Sequence, residues 1–187
     1  METDEFQKLA KVVSADLEAA AILMLMGYGG LRTVEVARLR IRDLDVQKRA
    51  LWVTTAKHKK NPIVRLIPLD DDTFAALEKM VKGRKPDDGL VLYQGHPATR
   101  RRIRHLFHKV KRVAGVRDVL GPHSLRHLAG IIRTEAGASP QEVAAFLGHK
   151  KLDMVLVYSN LTENRNRSIA DDALSALRGG RVTKSRK

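Results

Sequence analysis

One stretch of β-branched residues interrupts a chain otherwise written in helical period, and that interruption restricts the fold more than any other feature. Leu44-Asp45-Val46, Leu51-Trp52-Val53-Thr54-Thr55 and Ile63-Val64-Arg65-Leu66-Ile67 carry the branched and aromatic residues that favour strands. Their short separations predict a small antiparallel sheet, closed by Pro68. Before it, residues 3–12 and 15–27 read as helices, the second burying Leu17, Ala21, Met24 and Leu25 on one side. Gly27, Gly29 and Gly30 break the pattern, and Thr33 then caps a helix with Glu35 in its first turn, ending near Leu39. Helices resume at about residue 71. The fold class is therefore mostly α with a small antiparallel β-sheet. A chain of 187 residues, 43% of them apolar, can build one core without a second domain.

The partner is constrained by charge. Thirty-five Lys and Arg against 21 Asp and Glu leave a formal net charge of +14, which favours a polyanion over an acidic small substrate. Nucleic acid is the first expectation. The apolar run from Ala19 to Met26 is too short to span a bilayer, and no signal-peptide pattern opens the sequence, so a soluble, cytoplasmic, DNA-associated protein without a membrane partner is expected. The absence of cysteine removes disulfides, thiolate zinc sites and a cysteine nucleophile.

In the second half, residues 99–114 place Ile103, Leu106, Phe107, Val110 and Val113 on one helical face. Arg100, Arg101, Arg102, Arg104, Lys109, Lys111 and Arg112 fill the remainder. Such a face is ordinarily just solvated, but its single sign equally suits phosphates. Pro122 marks another helix start, and Ser139-Pro140-Gln141-Glu142 is a capping box with proline at the first helical position. Gly148 stops that helix after Leu147, leaving His149 at its end. A last helix is expected over roughly 163–177, and a flexible basic tail over 179–187.

Arg32, Lys57, His123, Arg126, His149 and Tyr158 together supply what phosphoryl transfer to a side chain requires. That step needs a nucleophile, donors for the equatorial oxygens and an acid for the departing sugar oxygen. Arginine's planar, permanently charged fork suits the oxygens, so Arg32 and Arg126 are the natural clamps. His123 and Arg126 share a helix face if both are helical, at a helix start whose free amides also favour phosphate. A lysine or a histidine near the leaving oxygen can supply the proton, and Lys57 lies where a strand would enter a hairpin turn. Taken singly, each residue has a plainer role: Arg32 as a surface partner of Glu35, His149 as a helix-end residue, Tyr158 as a half-buried anchor, and Lys57, Lys59 and Lys60 as charges at a hairpin tip.

Their order is more telling than their types. Tyr28-Gly29-Gly30-Leu31-Arg32-Thr33-Val34-Glu35 resembles the first box of the tyrosine recombinase (phage integrase) family. Pro122-His123-Ser124-Leu125-Arg126-His127, Phe146-Leu147-Gly148-His149 and Tyr158 resemble that family's His-x-x-Arg, Leu-Gly-His and nucleophilic tyrosine, in sequence. The resemblance implies the catalytic-domain fold of the family over residues 1–178 and site-specific cleavage and rejoining of double-stranded DNA. Tyr158 would form a 3′-phosphotyrosyl link and release a 5′-hydroxyl, Arg32 and Arg126 would hold the nonbridging oxygens, and His123 and His149 would complete the pocket. Lys57 would be the general acid, with Lys59 or Lys60 able to take its place, and Glu35 and His127 would support the site. Arg100, Arg101, Arg102, Arg104, Lys59 and Lys60 would contact DNA. No metal or other cofactor is expected, and a dimer or tetramer on DNA is. The family's usual N-terminal DNA-clamping domain is not expected within this sequence, and Gly29 stands where the family commonly has threonine.

Two other readings share parts of this pattern. A helix-turn-helix regulator would use the Ser139 to Tyr158 region but leaves Arg32 and the His123–Arg126 pair unexplained. A type IB topoisomerase would share the tyrosine chemistry without needing a specific site. Because Arg126 is expected to engage substrate, its loss is expected to harm cleavage far more than stability.

Overall fold

Burial around a central helix organises the fold. The computed structural model describes residues 1–55 and 63–148. Lys57, Lys59, Lys60, His149, Tyr158, the expected helix over 163–177 and the tail over 179–187 lie outside the described residues. Helix α1 is Thr3–Val13 and α2 is Leu17–Gly27. Rather than burying one side, α2 buries Ala19, Ala21, Ile22, Leu23, Leu25 and Met26, as a helix apolar on all sides does when others surround it. Those others are α1, α4 (Asp71–Val81) and α6 (Pro122–Glu135). Leu17, expected inside, is 50% exposed, because it opens the helix beside the capping Asp16, whose carboxylate accepts from Ala19 N at 3.0 Å.

The short helix α3 is Thr33–Val36, and a 3₁₀ turn, Ile41–Asp43, leads from it into the sheet. Strands β1 (Leu44–Asp45), β2 (Ala50–Thr54) and β3 (Val64–Pro68) pair antiparallel in that order, as the sequence predicts. Leu51 faces Ile67 and Val53 faces Arg65. The period of two turns Leu51, Val53, Arg65 and Ile67 inward and leaves Trp52, Val64 and Leu66 outside. A second, two-stranded hairpin of β4 (Leu92–Tyr93) and β5 (His96–Pro97) precedes α5 (Arg100–Val113).

Helix α5 buries Ile103, Leu106, Phe107 and Val110 as expected, but Val113, at its last turn, is 67% exposed. Lys111 also departs from the expected basic face. It is buried, and its Nζ donates to the carbonyls of Asp118 at 2.7 Å and Leu120 at 3.2 Å. This tie fixes the connection that delivers Pro122, the first residue of α6. Helix α7, Pro140–Leu147, has the predicted Ser139–Glu142 capping box and stops at Gly148 in the left-handed region, φ 64°.

The N-terminal helix is pinned by charge. Arg117 Nε and Nη2 donate to the Glu5 carboxylate at 2.6 and 2.8 Å. The Arg117 hydrogen bond, working against desolvation and joined by the Glu2 backbone amide, lowers Glu5 from 4.5 to about 2. A carboxylate with a depressed folded value stabilises above its unfolded value and loses that contribution as pH falls through the folded one. Wild type should therefore lose stability between pH 4.5 and about 2, and Arg117→Ala should flatten this part of the acid limb in melts recorded against pH.

Candidate active site

Arg32 owes its position to two glycines. Gly30 has φ 64°, and a Cβ there would lie 2.8 Å from Leu147 Cδ2, so the chain turns tightly against α7. A Cβ at Gly29 would come within 2.7 Å of the Leu25 carbonyl, which explains why threonine does not stand there. The chain then enters α3 at Arg32, and Arg32 rather than Thr33 is the capping residue. The helix ends at Val36, short of the predicted Leu39. Glu35, at its third position, reaches back: Oε2 accepts from Arg32 N at 2.9 Å and Oε1 from Arg32 Nη1 at 2.8 Å.

Glu35 is only 2% exposed and gathers more than one cation. Arg65 Nη2 donates to Oε2 at 2.8 Å and Arg126 Nη1 lies 3.8 Å from the same oxygen. Burial would raise the Glu35 carboxyl, but the hydrogen bond and charge of Arg65, with those of Arg32, outweigh it and hold the group below the ordinary 4.5. It is therefore a carboxylate at neutral pH.

Helix α6 brings His123 and Arg126 to the same place, one turn apart. His123 is exposed at the first turn, while Arg126 is 1% exposed. Arg126 Nη1 donates to the Gly30 carbonyl at 2.6 Å and Nη2 to the Leu147 carbonyl. Arg126 is thus a structural tie between the first box and α7, which revises the expectation that its loss would spare stability. His127 is half-buried, and burial pushes its imidazole below the ordinary 6.5.

Arg32, Thr33, Arg100, Pro122, His123 and Arg126 line one cleft of about 200 Å³. Arg100 also borders a neighbouring hollow with Arg101, Arg104 and His108. Arg100, Arg101 and Arg104 are exposed and Arg102 is half-buried, so a one-signed surface runs away from the cleft along α5. The arrangement offers planar, held cations at the cleft and exposed ones beside it, a combination suited to a backbone phosphate and its neighbours.

Sequence reasoning missed Arg65. Its signal lay in the alternation of β3, where Arg65 occupies the same face as Ile67 and stands opposite the inward Val53. An arginine at a core-facing strand position requires a buried acid, and Glu35 is that acid.

Sequence comparison assigns this fold to a family. The chain belongs to the phage integrase family, whose profile matches residues 1–165. It is 28% identical over 154 residues to the tyrosine recombinase XerC of Corynebacterium glutamicum, covering 80% of this chain and 48% of that protein. It is 29% identical over 163 residues to a tyrosine recombinase of Pseudothermotoga lettingae, covering 85% and 55%. The chain spans about half the length of the curated relatives it matches. Among solved structures, XerA recombinase superposes with a TM-score of 0.74 at 21% identity, over 92% of this chain and 62% of that one. The XerH site-specific recombinase bound to difH substrate gives 0.71 at 16% identity, over 91% and 53%.

Proposed function

We propose that this chain is the catalytic part of a site-specific recombinase that cuts and rejoins double-stranded DNA through a 3′-phosphotyrosyl intermediate. The observation that carries this reading is the convergence of Arg32, His123 and Arg126 on one cleft, with Glu35 buried behind the arginines. The guanidiniums of Arg32 and Arg126 meet the nonbridging oxygens of the scissile phosphate and stabilise the charge that grows there in the transition state. Tyr158 Oη bonds to phosphorus as the bond from phosphorus to the 5′ oxygen breaks. Lys57 gives that oxygen its proton, and the tyrosyl proton passes to a histidine of the set, His123 or His149. The tyrosyl link keeps the phosphoester's energy, so a 5′-hydroxyl from another strand reverses the step without ATP.

Arg100, Arg101, Arg102 and Arg104 carry the flanking phosphates, with Lys59 and Lys60. Exchange between two duplexes needs more than one active site, so the working form on DNA is a dimer or tetramer. Among the described residues no helix is long and apolar enough to cross a membrane.

Nicked duplexes that lose the short fragment bearing the new 5′-hydroxyl test the chemistry, because religation is then prevented. Incubation should leave a protein–DNA adduct stable in detergent, and lasting absence of adduct on cognate sites contradicts the reading. Binding should depend strongly on salt: with roughly six phosphates neutralised, log affinity falls with log salt at a slope of about −5. A flat response in a binding titration contradicts the basic face along α5.

A further inference from the structure

Arg65 does not line the cleft, yet it is 7% exposed and bound to the carboxylate behind it. We infer that Arg65 is a positioning residue for DNA cleavage, holding Glu35 from behind so that Arg32 and Arg126 keep their place and their charge for the scissile phosphate. This rests on the proposed recombinase activity.

A guanidinium is a costly choice for the core face of a strand. Burying it is unfavourable unless a partner compensates, and a branched apolar residue would suit the site opposite Val53 equally well for sheet packing. Compensation here is incomplete, since Arg65 Nε has no hydrogen-bond partner among the described residues. Stability alone therefore gives a poor account of the residue.

Electrostatics gives a better one. Glu35 alone between Arg32 and Arg126 would neutralise much of the charge they offer to an anion. Arg65 takes Oε2 at 2.8 Å and approaches Oε1 at 3.5 Å, so the carboxylate's charge is answered on the side away from the cleft. The cluster of Arg32, Arg65, Arg126 and Glu35 then carries a surplus of positive charge beside the substrate position. Both Glu35 oxygens are also fixed, and they in turn set the Arg32 amide and guanidinium at 2.9 and 2.8 Å.

Arg65 also joins two other segments of the site. Its Nη1 donates to Thr55 Oγ1 at 3.4 Å, and that hydroxyl donates to the Ile63 carbonyl at 2.9 Å. A Cβ on Gly148 would meet both Arg65 Nη1 and Thr55 Oγ1 at 2.9 Å. Thr55 and Gly148 are the described residues that immediately precede the segments bearing Lys57 and His149. One guanidinium thus spans α3, the base of the hairpin and the end of α7.

The test compares wild type, Arg65→Lys and Thr55→Val on nicked duplexes carrying either an ordinary scissile phosphate or an uncharged methylphosphonate. Lysine keeps the charge and loses the fork that grips both oxygens. Arg65→Lys should bind DNA within about twofold of wild type and form adduct about 100-fold more slowly on phosphate, the scale of a misplaced clamp. On methylphosphonate, which has no charge for the arginines to meet, the deficit relative to wild type should shrink to about tenfold or less. Equal deficits on both substrates, or a wild-type rate on phosphate, overturn the inference. If Arg65→Lys does not fold, Thr55→Val decides: a loss of about tenfold on phosphate alone supports the role, and an unchanged rate overturns it. A wild-type chain that forms no adduct on either substrate removes the recombinase reading and this role with it. A cleaving wild type with indifferent variants removes only the role of Arg65.

Discussion

Glu35→Ala should lower the melting temperature by about 10 °C, the expected result of losing about 3–5 kcal/mol when one partner of a buried ion cluster is removed. The size follows from what is left behind. Arg65 and Arg126 are 7% and 1% exposed, and with Glu35 gone they and Arg32 lose the carboxylate they share. Glu35→Gln separates charge from volume. Its amide nearly fills the same space, but its NH2 group would meet arginine donors already aimed at the second oxygen, so most of the loss should remain. The pH dependence carries the same signature. Glu35 is held below the ordinary 4.5 in the folded chain, so its contribution is present above that value and fades as pH falls through the lowered one. The Gln variant should lack this part of the wild-type acid dependence in melts recorded against pH. A Glu35→Ala protein as stable as wild type would show that the arginines do not depend on their shared carboxylate.

Tyr158→Phe should lower strand cleavage by about 10⁴-fold or more while leaving DNA affinity within about twofold. The two halves of this expectation have different origins. Phenylalanine keeps the ring but has no oxygen to bond to phosphorus, so the covalent step has no nucleophile. Binding is expected to rest instead on phosphate contacts of the proposed cationic residues, Arg32 and Arg126 in the cleft and Arg100, Arg101 and Arg104 beside it, and the substitution changes no charge. Gel-shift affinity and single-turnover cleavage measured on the same nicked duplex check both. Cleavage surviving in Tyr158→Phe would move the nucleophile elsewhere.

Local signals made much of the architecture legible. Pro122, the Ser139–Glu142 box and Gly148 each act through neighbours within four residues; α6 begins, and α7 begins and ends, where those residues place them. The three-stranded sheet was legible for the same reason, through the alternation of β2 and β3. The hairpin of β4 and β5 was not, because its strands are two residues long and its turn, Gln94-Gly95, takes φ 54° and 70° without an Asn-Gly or Asp-Gly signal. Helix ends misled in the same way at Leu17 and Val113, where periodicity continues but the packing partner does not.

At the site, residue order picked out Arg32, His123 and Arg126, and the structure brings them to one cleft. What order could not supply was the wiring. Arg126 ties to carbonyls at Gly30 and Leu147, far from it in sequence, and Lys111 leaves its basic helix face to hold the loop before α6. Arg65 was hidden for a related reason: on a strand it reads as one more cation of a basic chain until its inward register is known.

The most direct test is to find which atom of the protein carries DNA. The chain has three tyrosines, and two of them lie in the described fold: Tyr28 at the end of α2 and Tyr93, 5% exposed, in β4. The adduct formed on a nicked duplex can be digested with trypsin and nuclease and read by fragment-ion mass spectrometry. The tryptic peptide spanning residues 152–165 should carry a nucleotide linked through its 3′ phosphate to Tyr158. A nucleotide on Tyr28, on Tyr93 or on any residue other than Tyr158, or a link through a 5′ phosphate, would contradict the account.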